Sequence, residues 1–332
     1  MEIYRDTIAP RDSNAFQPMT SELVETSFRT LMDHLWNDNL TGAAGVVKEL
    51  DSLGYRVGLV QVTDTDIYTI GFMELAHPES PYYQGFGACL FRPDSPGLTL
   101  YQSVHPTADL YTEYVSMDAF LTDSDAAALM LAGSHKFANP DANHNGFCDS
   151  DTAHEGHNLI TVLTRDLLNQ WMNGIGPAPW IIQFHGAYDR DTEPDIVASY
   201  GRDDLLPGAV ELQMVNQCLE SVHPHTMGIC GYPEPFGSSL EDGVYELCAA
   251  GNVQGELIIA FGLGGRFMHF ELERHIRDDY MNGTGPGCDT IVTLIHCLSV
   301  ALPEGSTEQL VPVGDGIWLG LLIGLFAVKL RR

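Results

Sequence analysis

Basic side chains are scarce in this sequence. Of its 332 residues, 16 are lysine or arginine and 45 are aspartate or glutamate, which gives a formal charge of −29. Phosphate backbones and anionic membrane surfaces attract proteins through positive charge, so a chain this acidic is repelled by both. We therefore expect a solvated acidic surface and no nucleic-acid partner.

Paired cysteine motifs are also absent. The seven cysteines include no CxxC pair, which removes support for a cysteine-based zinc knuckle. Their odd number leaves at least one free thiol, and their spacing does not encode the pairing of the others. In an oxidising compartment, bridges among Cys218, Cys230, Cys248 and Cys288 would staple the long loops of that region.

Long apolar runs are missing except near the end of the sequence. Residues 316–328 (GIWLGLLIGLFAV) are uninterrupted apolar residues, followed by Lys329, Arg331 and Arg332. A spanning helix needs about 20 residues, although flanking basic side chains shorten this requirement. We predict a membrane anchor with its basic end in the cytoplasm and an extracytoplasmic, surface-anchored body. Because MEIYRDTIAPRD lacks an apolar signal core, a cytoplasmic tail-anchored protein is the alternative, and a buried core helix is a further one.

The periodic segments predict an α/β protein. Residues 20–53 have helical spacing, and from residue 56 short segments rich in β-branched and aromatic residues indicate strands. These segments are RVGLVQV, IYTIGFM, GACLF, LTLYQSV, AALMLAG and PWIIQFHG, with a helix predicted at about 153–173 between the last two. A strand, a helix and a strand in this order indicate a parallel pair.

The same pattern divides the chain into three parts. Residues 1–55 form an N-terminal helical layer, 56–300 an α/β domain, and 301–332 a linker with the apolar anchor. Within the domain, residues 190–255 are rich in proline, glycine and acidic groups and are predicted to form long loops with one or two short helices. The core resumes with ELIIAFG and RFMHFELE, of which the second alternates as a strand does.

Polar clusters follow the predicted strands, where open α/β sheets place ligand-binding groups. His105 ends LTLYQSV and is followed by Asp109 and Glu113, so one short segment offers a metal ion a nitrogen and an oxygen ligand. His185 emerges at the end of PWIIQFHG, followed by Gly186, which allows a ligand to approach the backbone.

The segment FMHFELERHIR places acidic groups within apolar surroundings. Alternation puts His269, Glu271 and Glu273 on one face and the intervening apolar side chains on the other. A charged group inside an apolar strand must face water, a partner or a site. Periodicity alone does not separate the two glutamates.

Five motifs occur in an order that resembles the metallocarboxypeptidase-like zinc hydrolases, a superfamily that includes N-formylglutamate amidohydrolases and poly-γ-glutamate hydrolases. They are HPTADLYTE, AGSHKFANP, DSDTAHE, IIQFHGAYD and FMHFELERHIR. The similarity covers about residues 60–280. The resemblance implies a three-layer α/β/α fold with a central mixed, mostly parallel sheet of the phosphorylase/hydrolase-like type. It also implies a zinc-dependent hydrolase that cleaves an amide bond in a γ-glutamyl compound, an N-formyl-amino acid or a peptide.

Roles of individual residues follow from this resemblance. His105, Asp109 and His185 would bind one zinc ion, and Glu113 is the alternative carboxylate ligand because the family usually has a glutamate. Glu271 would be the general base.

Four loop residues would bind the substrate or stabilise an oxyanion: His135, Lys136, Asp151 and His154. Related motifs often have arginine where this chain has Lys136, and lysine lacks the bidentate fork that grips a carboxylate. Ordinary loop hydrogen bonds and a helix cap at Asp151 are the competing interpretation.

A calcium loop competes for part of this region. In DANHNGFCDSD, oxygen-bearing side chains from Asp141 to Asp149 have the spacing of such a loop around Gly146, although Thr152 replaces the usual final glutamate. The rival functional hypothesis is therefore a non-catalytic, acidic, calcium-stabilised module for binding at the cell surface. A binding module does not need a carboxylate such as Glu271 beside a metal.

Overall fold

The computed structural model describes residues 4–5, 7–17, 22–36, 39–61, 68–75, 83–92, 95, 97, 99–142, 144–173, 178–189, 194–202, 210–223, 226–230 and 248–302. The helices are α1 (Glu22–Trp36), α2 (Leu40–Ser52), α3 (Thr112–Thr122), α4 (Leu159–Met172), α5 (Glu211–Glu220), α6 (Val253–Ala260), α7 (Arg274–Asn282) and α8 (Pro286–Ala301). The strands are β1 (Tyr55–Gln61), β2 (Tyr68–Glu74), β3 (Ala88–Phe91), β4 (Thr99–Ser103), β5 (Ala126–Leu131), β6 (Trp180–Gly186), β7 (Ile196–Ser199), β8 (Met227–Ile229) and β9 (Phe267–Leu272).

The described strands form one nine-stranded sheet in the order β1-β2-β3-β5-β4-β6-β9-β7-β8. Parallel pairings join β5, β4, β6 and β9 at the centre and β7 to β8 at one edge. The other pairings are antiparallel. The predicted mixed sheet is confirmed. Half of its strand pairings are parallel, whereas a mostly parallel sheet was expected. The predicted pair β5 and β6 is parallel, with β4 inserted between its members.

Helices cover both faces of the sheet. Leu100 and Ile181 point into a core shared with α1, α2, α4 and α6. Their neighbours Tyr101 and Ile182 point into a second core, shared with α3, α5, α7 and α8. Because alternate side chains of a strand face opposite sides, the central strands are buried on both. The predicted three-layer α/β/α architecture is confirmed.

The connections of two adjacent strands leave in opposite directions. From β4 the chain passes through α3 to β5 on one side, whereas from β6 it continues to β7 on the other. Open α/β sheets bind ligands beyond the carboxyl ends of strands at such a reversal. The fold therefore places a crevice beyond β4 and β6.

Two local predictions need correction. The segment predicted as loops with one or two short helices contains strands β7 and β8 as well as helix α5. Helix α4 begins at Leu159 and not near residue 153, because the Asn158 side chain accepts a hydrogen bond from the Thr161 N–H at 2.9 Å and caps the helix there.

Disulfides connect elements of the second half of the chain. Cys218 on α5 is bonded to Cys297 on α8, and Cys230 is bonded to Cys248. The first bridge ties two neighbouring helices together. The free cysteines are Cys89, Cys148 and Cys288.

The N-terminal helical layer and the C-terminal anchor were predicted as separate parts of the chain. Helices α1 and α2 pack onto one face of the sheet through residues such as Phe28 and Leu50, in the same core as the central strands. No helix in the described part of the chain is long and apolar enough to cross a membrane. The predicted anchor at 316–328 lies outside the described residues, and the three-part division of the chain stays a prediction.

Candidate metal centre

Three predicted ligands meet beyond the ends of β4 and β6. Asp109 Oδ2 lies 3.0 Å from His105 Nδ1 and 3.5 Å from His185 Nδ1. One ligand atom from each residue lies within 4.8 Å of the others, and all three side chains are buried. Strand β4 delivers His105 and Asp109 through the turn that follows it, and β6 carries His185 near its end. The structure thus brings together residues up to 80 positions apart in the sequence.

The spacing of these atoms fits a tetrahedral metal ion. Zinc bonds to nitrogen and oxygen are about 2.0–2.1 Å long, which sets ligand atoms about 3.3 Å apart at the corners of a tetrahedron. The separations of Asp109 Oδ2 from His105 Nδ1 and His185 Nδ1, 3.0 and 3.5 Å, lie on either side of that value. Two imidazoles and one carboxylate also match the donors of catalytic zinc centres, which keep a fourth position for water or substrate. The residues present therefore fit a zinc ion.

His105 is held between two carboxylates. Its Nδ1 faces Asp109, and its Nε2 lies 2.7 Å from Asp151 Oδ1. Burial alone would lower the pKa of His105, but Asp151 and Asp109 raise it to about 9. A carboxylate on the far nitrogen of a metal-binding histidine orients the ring and increases its basicity. Asp151 occupies this orienting position.

His185 is neutral at pH 7. Burial and the neighbouring His269 lower its pKa to about 4. Its Nε2 lies 3.1 Å from Gln183 Oε1, and its ring meets that of His105 edge to face, with centroids 4.8 Å apart. Both histidines therefore direct Nδ1 toward Asp109 and have a protein partner on Nε2.

The turn that carries the first two ligands has an uncommon backbone. Thr107 and Tyr111 adopt left-handed conformations with φ of 65° and 77°. A β-branched residue such as threonine rarely adopts this region, and strained residues of this kind cluster at functional sites. The Asp109 N–H donates to the His105 carbonyl oxygen at 2.8 Å, which closes the turn and brings the two side chains to the same point.

Glu271 lies beside this centre on the neighbouring strand. In the parallel register of β6 and β9, His185 is paired with Glu271 and Gln183 with His269. His269 Nε2 lies 3.3 Å from Glu271 Oε1, and its ring is 4.3 Å from that of His185. Burial raises the pKa of Glu271, but the hydrogen bond and charge of His269, together with His185, bring it below its ordinary value. His269 was not predicted as a site residue, although its alternation with Glu271 is visible in the sequence.

Glu113, the alternative to Asp109 as a ligand, and Glu273, the glutamate that periodicity does not separate from Glu271, have other partners. Glu113 faces the guanidinium of Arg5, with 3.0 Å between Arg5 Nε and Glu113 Oε1, and belongs to none of the candidate metal-binding groups among the described residues. Glu273 follows β9, and its Oε2 lies 3.4 Å from His275 Nδ1. Glu273 thus pairs with a side chain near the strand end.

The predicted substrate-binding residues surround the centre at different distances. Lys136 Nζ lies 3.2 Å from Asp109 Oδ1. Burial lowers the pKa of Lys136, but Asp109 and smaller contributions from Asp151 and Glu271 bring it above its ordinary value. His154 Nδ1 lies 3.1 Å from Asp151 Oδ1, and its ring stacks on Phe147 with centroids 3.7 Å apart.

His135 has a local partner. Its Nδ1 accepts a hydrogen bond from the Phe137 N–H at 3.0 Å, and its ring tilts against the Phe137 ring. Substrate binding by His135, Lys136, Asp151 and His154 stays a prediction, although the contact with His105 gives Asp151 a second role.

The loop predicted to bind calcium has internal partners for its carboxylates. Asp141 accepts hydrogen bonds from the N–H groups of Asn145 and Gly146 at 3.1 and 3.0 Å. Asp149 accepts one from the Ala142 N–H at 3.2 Å. The loop residue at position 143 lies outside the described residues. Calcium binding at Asp141–Asp149 stays a prediction.

A buried arginine joins the ends of the strands that carry the centre. Arg277 on α7 donates hydrogen bonds to the carbonyl oxygens of Leu272 at 3.0 Å, Ala187 at 2.9 Å and Leu110. These carbonyls belong to the chain just beyond the segments that bear the candidate base and ligands. A Cβ on Gly186 would lie 2.5 Å from Arg277 Cζ. The glycine therefore makes room for this arginine. The approach of a ligand at Gly186 stays a prediction.

No family model and no curated protein matches the chain. Solved structures similar to it include a bacteriophage poly-gamma-glutamate hydrolase, with 12% identity and a TM-score of 0.39 over 62% of this chain and 83% of that one. A metallo-carboxypeptidase from Burkholderia cenocepacia has 14% identity and a TM-score of 0.36 over 66% of this chain and 60% of its own. An aspartoacylase family protein from Mesorhizobium loti has 10% identity and a TM-score of 0.33 over 76% and 68%. The first two are of the kinds that the sequence motifs resemble.

Proposed function

We propose that this protein is a hydrolase that binds one zinc ion through His105, Asp109 and His185 and cleaves an amide bond with Glu271 as the general base. The observation that carries the proposal is the position of Asp109 Oδ2, 3.0 and 3.5 Å from the Nδ1 atoms of the two histidines. A zinc ion held by these residues would polarise a carbonyl group and lower the pKa of water to about 7.

Glu271 supplies the base. It is buried next to His185, and its lowered pKa keeps it ionised at neutral pH. A carboxylate in this state accepts a proton from the attacking water and returns it to the leaving nitrogen. His269 contacts Oε1 and thereby fixes the orientation of the carboxylate.

Lys136 supplies positive charge at the same edge. Its ammonium group contacts Asp109 and carries a pKa above its ordinary value, so it is charged at neutral pH. Fixed positive charge beside a reacting carbonyl stabilises the negative charge that develops on its oxygen. The side chains of His135 and His154 would contact the remainder of the substrate.

The substrates proposed are γ-glutamyl compounds, N-formyl-amino acids and peptides, because these are what the sequence resemblance implies. The test incubates zinc-loaded protein with one representative of each class and follows the release of amine. Hydrolysis of at least one representative by the wild type, and none by Glu271→Gln with its zinc retained, is the expected result. If the wild type binds zinc but hydrolyses none of them, the amidohydrolase proposal fails and the result favours the non-catalytic binding module.

We also propose that the protein works outside the cytoplasm, anchored by residues 316–328. The disulfide between Cys218 and Cys297 supports this location, because such bonds persist in oxidising compartments. Deleting residues 314–332 should give a soluble and folded body in which this disulfide persists. A truncated chain that fails to fold would show that the apolar segment belongs to the core.

A further inference from the structure

Gln183 lies directly behind one of the proposed zinc ligands. It is on β6, two residues before His185, and its side chain is fully buried. Its Oε1 lies 3.1 Å from His185 Nε2. The orientation of this amide therefore determines which nitrogen of His185 carries the hydrogen, because an amide oxygen can only accept and an amide nitrogen can only donate.

Gln254 fixes that orientation from one side. Its Nε2 donates to the backbone carbonyl oxygen of Thr152 at 2.9 Å, and a carbonyl oxygen can only accept. Gln254 Oε1 is therefore the atom that faces Gln183, 3.1 Å from Gln183 Nε2. The atom of Gln183 in this contact must be the donor.

Asn252 fixes the same orientation from a second side. Its Oδ1 accepts the backbone N–H groups of Gln254 and Gly255, both at 3.0 Å, because Asn252 caps α6. Its Nδ2 is therefore turned toward Gln183 and donates to Oε1 at 2.8 Å. Two independent backbone anchors thus agree that Gln183 Oε1, and not Nε2, faces His185.

We infer that Gln183 is a positioning residue: its Oε1 accepts the hydrogen on His185 Nε2, which selects the Nε2–H tautomer and leaves the lone pair on Nδ1 at the point shared with His105 and Asp109. Without this acceptor, the Asp109 carboxylate 3.5 Å from Nδ1 would favour the opposite tautomer, in which Nδ1 carries the hydrogen and cannot bind a metal. The inference deepens the proposed zinc site, but the tautomer itself is a property of the protein without metal.

One short segment of chain orients both histidines. The Asp151 side chain contacts His105 Nε2 at 2.7 Å. The next residue, Thr152, supplies the carbonyl oxygen that orients Gln254, then Gln183 and finally His185. The segment that leads into α4 therefore sets the direction in which Nδ1 of each histidine points.

The test is carried out on full-length protein labelled with ¹⁵N-histidine and stripped of metal with a chelator. Long-range ¹H–¹⁵N correlation at pH 7 identifies the tautomer of His185, and competition with a chromophoric chelator gives the zinc affinity. The wild type should show Nε2–H. Gln183→Met removes the acceptor at similar volume, and should populate Nδ1–H and weaken zinc binding about 10- to 100-fold.

Gln102→Met is the matched control. Gln102 is equally buried, and its Oε1 accepts a hydrogen bond from Gln183 Nε2 at 2.7 Å. When Gln102 is replaced, Gln183 keeps its orienting contacts to Gln254 and Asn252. This variant should lose stability but keep the wild-type tautomer and zinc affinity. If Gln183 had a merely structural role, the Gln183→Met and Gln102→Met variants would behave alike.

Two results would overturn the inference. One is a wild-type His185 with its hydrogen on Nδ1, and this result decides even if Gln183→Met does not fold. The other is a folded Gln183→Met with unchanged tautomer and zinc affinity. A wild type that shows Nε2–H but binds no zinc would instead contradict the proposed function and leave the positioning role of Gln183 intact.

Discussion

His185 on β6 and Glu271 on β9 occupy paired positions in a parallel register, at the carboxyl end of adjacent strands. This pairing sets the proposed base beside a proposed metal ligand without any loop between them. Strands hold side chains more rigidly than loops do, which favours the geometry needed for proton transfer. The residue two positions further along, Glu273, already lies beyond the strand and contacts His275.

The first prediction separates these two glutamates. Glu271→Gln should fold and retain zinc but lose about 10²- to 10⁴-fold in turnover, because a general base is removed while the ligands remain. Glu273→Gln should keep most of the activity. Turnover and bound zinc are measured in both variants. Loss of activity in Glu273→Gln with activity retained in Glu271→Gln would reverse the assignment.

The second prediction concerns Asp151. If its main role is to orient His105, Asp151→Asn should weaken zinc binding about 10- to 100-fold. If it binds substrate instead, KM should rise while zinc affinity stays at the wild-type value. Asp149→Asn removes a charge from the same segment without contacting His105, and it serves as the control for zinc affinity.

The third prediction is a loss of stability of the metal-free protein at alkaline pH. The pKa of His105 is raised from 6.5 to about 9 in the folded chain. The stabilisation from its proton is therefore fully present below about pH 6.5 and disappears as the pH rises through 9, a contribution on the order of 3 kcal/mol. Urea unfolding in excess chelator between pH 7 and 9.5 measures it. His105→Gln should lack this part of the pH dependence, and identical slopes for the two proteins would contradict the charged pair.

The fourth prediction concerns the room that Gly186 leaves for Arg277. Gly186→Ala should destabilise the protein by about 1–3 kcal/mol, because the new Cβ overlaps a guanidinium held by three backbone carbonyls. Gly45→Ala is the control. Its Cβ would meet nothing within 4 Å inside α2, and the variant should gain about 0.5–1 kcal/mol. Chemical denaturation compares the two, and a neutral Gly186→Ala would show that the arginine is free to move.

Much of the fold could be predicted from sequence periodicity. The strands β1 to β6 and β9 are long enough, or apolar enough, for their pattern to stand out. Strands β7 and β8 have four and three residues and lie in a segment rich in proline, glycine and acidic groups, so their pattern does not separate them from the loops around them. The apolar run ELIIAFG fits a strand or a helix equally well, and it is mostly helix α6 because Asn252 caps its start.

The part of the candidate centre that lies at the ends of recognisable strands could be predicted from the sequence. His105, His185 and Glu271 each stand at the end of a recognisable strand, where an α/β sheet collects its ligand-binding groups. Gln183 and Arg277 act through partners on other elements, such as Asn252 and Leu110, at sequence separations of 69 and 167. Such contacts depend on the order of strands in the sheet, which the pattern of a single chain does not specify.

The most direct measurement of the central claim is X-ray diffraction from zinc-loaded crystals, with data on both sides of the zinc absorption edge. The anomalous difference map should show one strong peak per chain, at about 2.0–2.2 Å from His105 Nδ1, His185 Nδ1 and an oxygen of Asp109. A peak at another place, or no peak in crystals grown with excess zinc, would contradict the proposed centre.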